Sequence, residues 1–179
     1  MGYALTRWEW LEIELCGLFC VFTDKPRASQ TAIEAYSSGA TFITRADRLR
    51  ESSRDYAIFR HDQTKEGQFL SLLCKARTMS ERRNDIAHGM VAYYYGPTGH
   101  PMLTGYVVGL PEGGDLTFCL TSPLYDKRRI AFGLSGQLLD FQPEYVYVAE
   151  QIRAYGDDFT ALTHEIISYE VSLEPRNAP

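Results

Sequence analysis

The chain has no run of 18 uncharged apolar residues, the least that reads as a transmembrane helix. Its apolar N-terminal segment is interrupted by Arg7, Glu9, Glu12 and Glu14, which excludes the uncharged core of a signal peptide. It also lacks a paired cysteine framework. Cys16, Cys20, Cys74 and Cys119 sit singly inside apolar runs, the pattern of reduced thiols in a cytosolic protein. No membrane span and a cytoplasmic location are therefore expected.

An excess of positive charge is missing too. With 18 Lys and Arg against 23 Asp and Glu, the net charge is −5, which argues against broad, non-specific nucleic-acid binding. A small basic site on an acidic body stays compatible with this. Local clusters occur at Arg45, Arg48, Arg50 and Arg54, at Arg77, Arg82 and Arg83, and at Lys127, Arg128 and Arg129. Phosphate-loop and dinucleotide fingerprints are absent. The nucleophile elbow Gly-x-Ser-x-Gly is absent as well, because Gly133-Leu134-Ser135-Gly136 is one residue short. There is no internal repeat and no low-complexity segment.

What is present is a globular composition of ordinary size: 179 residues, 45% apolar, with twelve Tyr and nine Phe. One domain spanning residues 1–179 is expected. Trp8, Leu11, Leu15, Leu18, Phe19 and Phe22 recur at a spacing of three to four and predict a helix over 4–22. Thr23-Asp24-Lys25-Pro26 breaks it. A second helix is expected over 29–57, with Ser29 as its cap and a kink near Ser37-Ser38-Gly39. Its charges at Arg45, Asp47, Arg48 and Glu51 read as a solvated face. A third runs from about Lys65 to His88, with Gly89 as a left-handed C-terminal residue. Residues 90–135 alternate strand-like runs with turn clusters. From 144 to 171 the helical spacing returns at Tyr145, Val148, Ile152, Tyr155, Phe159, Leu162, Ile166 and Tyr169. Gly156 in that run costs about 1 kcal/mol against Ala, which suggests a kink or a close helix contact. The expected fold is mainly α: an antiparallel up-and-down bundle of about four long helices. A β-hairpin or small antiparallel sheet lies between the third and fourth helices, as an insertion at about 90–135.

The stretch Ser80–Gly89 carries the most suggestive polar residues. Phe69, Leu72, Ala76, Met79, Arg83, Ile86 and Met90 form one stripe, so Arg83 stands where an aliphatic side chain belongs. A guanidinium there must be paired, hydrogen-bonded or open to a cleft. His88 follows five residues later, about 140° further round an ideal helix. Asn84 and His88, four apart, share a face. Any chemistry shared by Arg83 and His88 thus needs a distorted helix end or a second copy across a two-fold axis.

Arg83-Asn84-Asp85-Ile86-Ala87-His88 resembles the Arg-x(4–6)-His motif of the HEPN superfamily, and the flanking form Arg-Asn-x-Ile-Ala-His-Gly is similar to many bacterial members. The resemblance implies a small helical bundle acting as a homodimer, with Arg83, Asn84 and His88 as catalytic residues, no cofactor and no metal. It implies metal-independent endoribonuclease activity and RNA as a partner, in a toxin or phage-defence setting with a cognate antitoxin. It equally implies the alternative of a catalytically inactive, dimeric binding or scaffold protein. The chemistry suits these residue types. Histidine moves protons near neutral pH, arginine holds a phosphate and offsets developing charge, and asparagine orients either group.

Other constellations are weaker. Cys16 and Cys20 share a helix face but have no matching second pair. His61, Asp62 and Glu66 read as a solvated loop, His100 as a turn residue, and His164-Glu165 as exposed.

Overall fold

A computed structural model describes residues 1–95, 100–102, 116–121, 130–132, 138–141 and 145–173. The first helix, α1, spans Gly2–Phe22 and buries Trp8, Leu11, Leu15, Leu18 and Phe22, the stripe visible in the sequence. It ends at Thr23, whose N–H bonds the Phe19 carbonyl at 3.1 Å, and Asp24 then turns the chain at φ 54.

The single helix expected over 29–57 is two: α2, Gln30–Ser37, and α3, Phe42–Arg60. The arginines read as solvated enforce the break. Arg48 donates to the Tyr36 carbonyl at 3.3 Å, to Ser38 Oγ at 2.7 Å and to the Ala35 carbonyl, satisfying the orphan acceptors that end α2. Arg45 donates to the Gly39 carbonyl at 2.9 Å and to Glu12 Oε1 at 2.7 Å. A Cβ on Gly39 would lie 2.8 Å from Arg45 Cγ. Thr41 then caps α3 by accepting from the Thr44 N–H at 3.2 Å.

His61, in the left-handed region at φ 56, ends α3, and Asp62 starts α4, Gln63–His88, by accepting from the Lys65 N–H at 3.0 Å. The last helix, α5, spans Ala149–Leu173 rather than starting at 144. Val146–Val148 is a strand that pairs antiparallel with Leu116–Thr121, setting Leu120 opposite Tyr147. Tyr145 and Tyr147 must share a face to reach the same target. Strand geometry gives this to residues two apart, and their rings stack at 5.1 Å. A helix would turn them about 200° apart.

Helix directions follow from the contacts. Along α1, Trp8 meets Phe42, Glu12 meets Arg45 and Phe22 meets Tyr56, so α3 runs the same way. Tyr3 meets Asp157, Trp8 meets Phe159 and Phe22 meets Tyr169, so α5 does too. The fourth long helix, α4, runs against them. Glu9 meets Arg83 while Phe22 meets Phe69, and Lys65 meets Ser172 while Lys75 meets Glu165. The long helices therefore do not alternate among themselves; the short α2 supplies the missing return. Trp8, Phe69 and Phe159 are fully buried at the centre, and each large apolar side chain so buried is worth about 1.5–3 kcal/mol. Gly156 marks the close contact of α1 and α5, since a Cβ there would lie 3.2 Å from Ala4 Cα and 2.5 Å from the Tyr3 ring.

The strands before α5 are Met90–Tyr95, His100–Met102, Leu116–Thr121, Ile130–Phe132 and Leu138–Phe141 (β1 to β5), followed by Val146–Val148 (β6). Four are hydrogen-bonded in the order β2-β1-β3-β6, and β4 pairs with β5. The insertion expected at about 90–135 falls for the greater part outside the described residues, as do the basic cluster at 127–129 and the stretch 133–136. Among the described residues, no helix is long and apolar enough to cross a membrane.

Candidate active site at the end of helix α4

Ile86, fully buried, and Ser80, whose hydroxyl bonds the Arg77 carbonyl at 2.7 Å, anchor the last turns of α4. Between them, Arg83 sits half-buried with its side chain 31% exposed. The partner that its place on an apolar stripe demands is Glu9 of α1, at 3.7 Å from NH2 to Oε1. Arg83 NH1 also donates to Asn84 Oδ1 at 3.3 Å. Its Nε is buried with no hydrogen-bond partner, a cost of about 1–3 kcal/mol. Glu9 is 63% exposed, so this ion pair is worth no more than about 1 kcal/mol. Arg83 is thus held loosely for a half-buried cation.

Asn84 and His88 are exposed on the neighbouring face. Among the described residues, His88 makes no hydrogen bond and no ion pair. Since α4 stays helical through His88, Arg83 and His88 diverge by about 140°. One chain brings together Arg83 with Asn84, and Asn84 with His88, but does not aim Arg83 and His88 at one point.

Gly89 does not adopt the expected left-handed conformation. Its backbone is extended, at φ −70 and ψ 156, and leads directly into β1. The need for glycine is spatial instead. A Cβ would lie 2.7 Å from the Asp85 carbonyl oxygen, 2.7 Å from Leu120 Cγ and 2.9 Å from its Cδ1.

Sequence reasoning missed the group that fixes this helix end. Tyr145 donates its hydroxyl to the Asp85 carbonyl at 2.8 Å, capping α4 from outside the helix. Tyr147 donates to Asp85 Oδ2 at 2.8 Å, and Arg82 NH1 bonds both the Tyr147 oxygen at 2.8 Å and Asp85 Oδ2 at 3.2 Å. Tyr155 packs edge-on against Tyr147 at 5.3 Å. Burial, then the Asp85 acceptor, push the Tyr147 hydroxyl well above its ordinary pKa. The Tyr147 hydrogen bond raises that of Arg82. Both partners stay locked as neutral phenol and guanidinium across the physiological range. The available signals were Arg82 and Asp85 three apart on a helix and the Tyr-Val-Tyr alternation.

Elsewhere, the other candidates have structural duties. His61 and Asp62 cap α3 and α4. Cys20 is buried, and burial pushes the half-buried Cys16 thiol up to about 11. Among the described residues there is no cluster of three or more His, Cys, Asp or Glu able to hold a metal ion. No family model, curated protein or solved structure matches the chain.

Proposed function

We propose that the chain is a HEPN-like, metal-independent endoribonuclease that acts as a homodimer, with Arg83, Asn84 and His88 as its catalytic residues. The observation that carries this reading is the commitment pattern at the end of α4. Arg82 and Asp85 are locked into the tyrosine network, whereas His88 is exposed and has no structural partner among the described residues. An exposed imidazole on the same helix end as a half-buried guanidinium suits proton transfer beside a phosphate when Arg83 of one copy meets His88 of the other.

In the proposed reaction, His88 takes the proton of a ribose 2′-hydroxyl. The 2′-oxygen attacks the adjacent phosphorus, and the bond to the 5′-oxygen breaks. A protonated imidazole returns a proton to that oxygen. The products are a 2′,3′-cyclic phosphate and a 5′-hydroxyl. Arg83 binds the phosphate and offsets charge in the transition state, and Asn84 orients the imidazole one turn away. DNA lacks the 2′-hydroxyl and is not a substrate. A toxin or phage-defence role in the cytoplasm, with a cognate antitoxin, belongs to the same reading. So does an insertion between α4 and α5 that braces the helix end through Asp85 and Gly89.

A fluorogenic RNA cleavage assay in excess chelator tests this. His88→Ala leaves an exposed position and should fold normally, yet lose about 100-fold or more in rate. Equal cleavage by folded wild type, His88→Ala and Arg83→Ala would sink the proposal. One observation favours the second reading, a catalytically silent HEPN-like dimeric scaffold: Glu9 already occupies Arg83 on a chain of net charge −5. That reading predicts a folded dimer with no RNA cleavage by wild type.

A further inference from the structure

We infer that Cys16 and Cys20 of α1 form a two-thiolate site for one soft monovalent cation, with Cu(I) as its occupant. The inference is independent of the ribonuclease reading.

Four residues apart on one helix, the two side chains lie one above the other. Their thiols stand within hydrogen-bonding reach of each other. Cys20 is fully buried, and the half-buried Cys16 gives the pair its access to solvent. A disulfide does not fit this spacing. It requires Cβ atoms about 3.5–4.5 Å apart, whereas neighbours on successive helical turns hold them at about 5–6 Å. An interposed ion does fit. With thiolate–metal bonds of about 2.3 Å, a linear arrangement sets the sulfurs about 4.6 Å apart. Thiolates select soft ions such as Cu(I) and zinc. Among the described residues no cluster of three or more His, Cys, Asp or Glu forms. That denies zinc its four ligands and favours Cu(I), for which two thiolates suffice.

Two observations beyond the thiols point to a charged occupant. The first is Tyr36, whose ring packs on Phe19 at 5.8 Å. The residue is 3% exposed, its hydroxyl is buried without a hydrogen-bond partner, and it feels the charge of Cys16. A neutral thiol is a weak acceptor, whereas an ionised one accepts strongly, so metal loading supplies the partner that this phenol lacks. The second is Arg27. Its guanidinium lies across Gly17, where an added Cβ would be 2.8 Å from Nε, and Glu14 and Glu170 hold it there. Two thiolates and one Cu(I) carry a net charge of −1. Burial disfavours the Cys20 thiolate, and Arg27 opposes that effect. The carboxylate on the Cys16 side, Glu12, is itself held by Arg45 at 2.7 Å. Loading breaks both S–H bonds, forms two S–Cu bonds and releases two protons to solvent. The copper stays Cu(I) throughout.

Anaerobic titration of the full chain with Cu(I), in competition with a chromogenic Cu(I) chelator, tests the site. A background with Cys74 and Cys119 changed to Ser removes the other thiols. In it, one Cu(I) per chain should be withheld from the chelator, and X-ray absorption should show two sulfur neighbours. Adding Cys16→Ala should lower the affinity about 100-fold or more, because one of the two ligands is gone. Cys20→Ala should do the same, and circular dichroism checks that its buried position still folds. Tyr36→Phe keeps the ring and should weaken binding about tenfold. Copper stripped completely by the chelator overturns the inference. So does copper retained by the Cys16→Ala chain, bound only as the helical signal is lost, or shared between two chains. Equal retention by a chain that keeps Cys74 and Cys119 but lacks Cys16 and Cys20 overturns it too, as adventitious thiol binding.

Discussion

Replacing Gly89 by Ala separates two accounts of the motif's last residue. At φ −70 and ψ 156 alanine is conformationally at ease, and the loss of unfolded-state freedom alone would stabilise the protein by about 0.4–1 kcal/mol. The surroundings oppose this. The new methyl carbon would sit 2.7 Å from the Asp85 carbonyl oxygen and 2.7 Å from Leu120 Cγ. The first atom is backbone and carries the 2.8 Å hydrogen bond from Tyr145. The second belongs to a side chain only 2% exposed. Overpacking of this kind costs about 1–3 kcal/mol, and disturbing the tyrosine bond adds about 1 kcal/mol. The net expectation is a loss of about 1–3.5 kcal/mol, or about 2–14 °C in melting temperature for a chain of this length. Thermal unfolding by circular dichroism, with urea titrations to confirm an unchanged slope, measures it. Gly89→Asn sharpens the comparison. A left-handed cap tolerates asparagine better than alanine, whereas crowding makes the larger residue worse. An alanine variant as stable as wild type, or an asparagine variant milder than alanine, would refute the spatial account.

Three further substitutions probe the supports of the site and core. Tyr147→Phe removes the hydroxyl between Asp85 and Arg82, and urea unfolding should show a loss of about 1–2 kcal/mol, because Arg82 keeps its direct contact with Asp85. Glu12→Gln keeps an acceptor for the Trp8 Nε1–H but uncouples Arg45, whose side chain is 18% exposed. Burial alone would lower the Arg45 pKa, and Glu12, with a smaller contribution from Tyr36, reverses this; the expected loss is about 3 kcal/mol in the same assay. Cys16, pushed up to about 11 by burial, is a neutral thiol at pH 8. In a variant with Cys74 and Cys119 changed to Ser, which keeps the neighbouring Cys20, alkylation of Cys16 read by peptide mass spectrometry at pH 8 should run at least about tenfold slower than that of a free cysteine, and its rate should still be climbing beyond pH 10. A rate that levels near pH 9 contradicts that environment.

Much of the helical layout was legible because burial imposes the spacing. The inner stripes of α1 and α4 can be read directly from Trp8–Phe22 and Phe69–Ile86. The misreadings share a physical cause. The apolar spacing of α2 continues into α3 across the break, and the signals that stop it are tertiary: Arg45 reaching Gly39 and Glu12, and Arg48 covering the end of α2. Tyr145, Val148 and Ile152 fit a helix by spacing although Val146–Val148 is a strand, because three positions cannot exclude a period of two. Arg83 was recognisable as an anomaly on its stripe. Its partner Glu9, from a helix 74 positions earlier in the chain, was not, since no local rule links them. The tyrosine clamp on Asp85 was hidden for the same reason. Gly89 was singled out for the wrong property: glycine serves close approach as well as unusual dihedrals.

The central claim is that Arg83 of one copy works with His88 of the other. Mixing purified Arg83→Ala and His88→Ala chains, each inactive alone, and following fluorogenic RNA cleavage tests it most directly. Exchange makes half of the dimers mixed, and each mixed dimer holds one complete pair of the two. Activity should therefore recover to about a quarter of the wild-type rate. A mixture that exchanges subunits yet stays as inactive as its components, beside an active wild type, would contradict the claim.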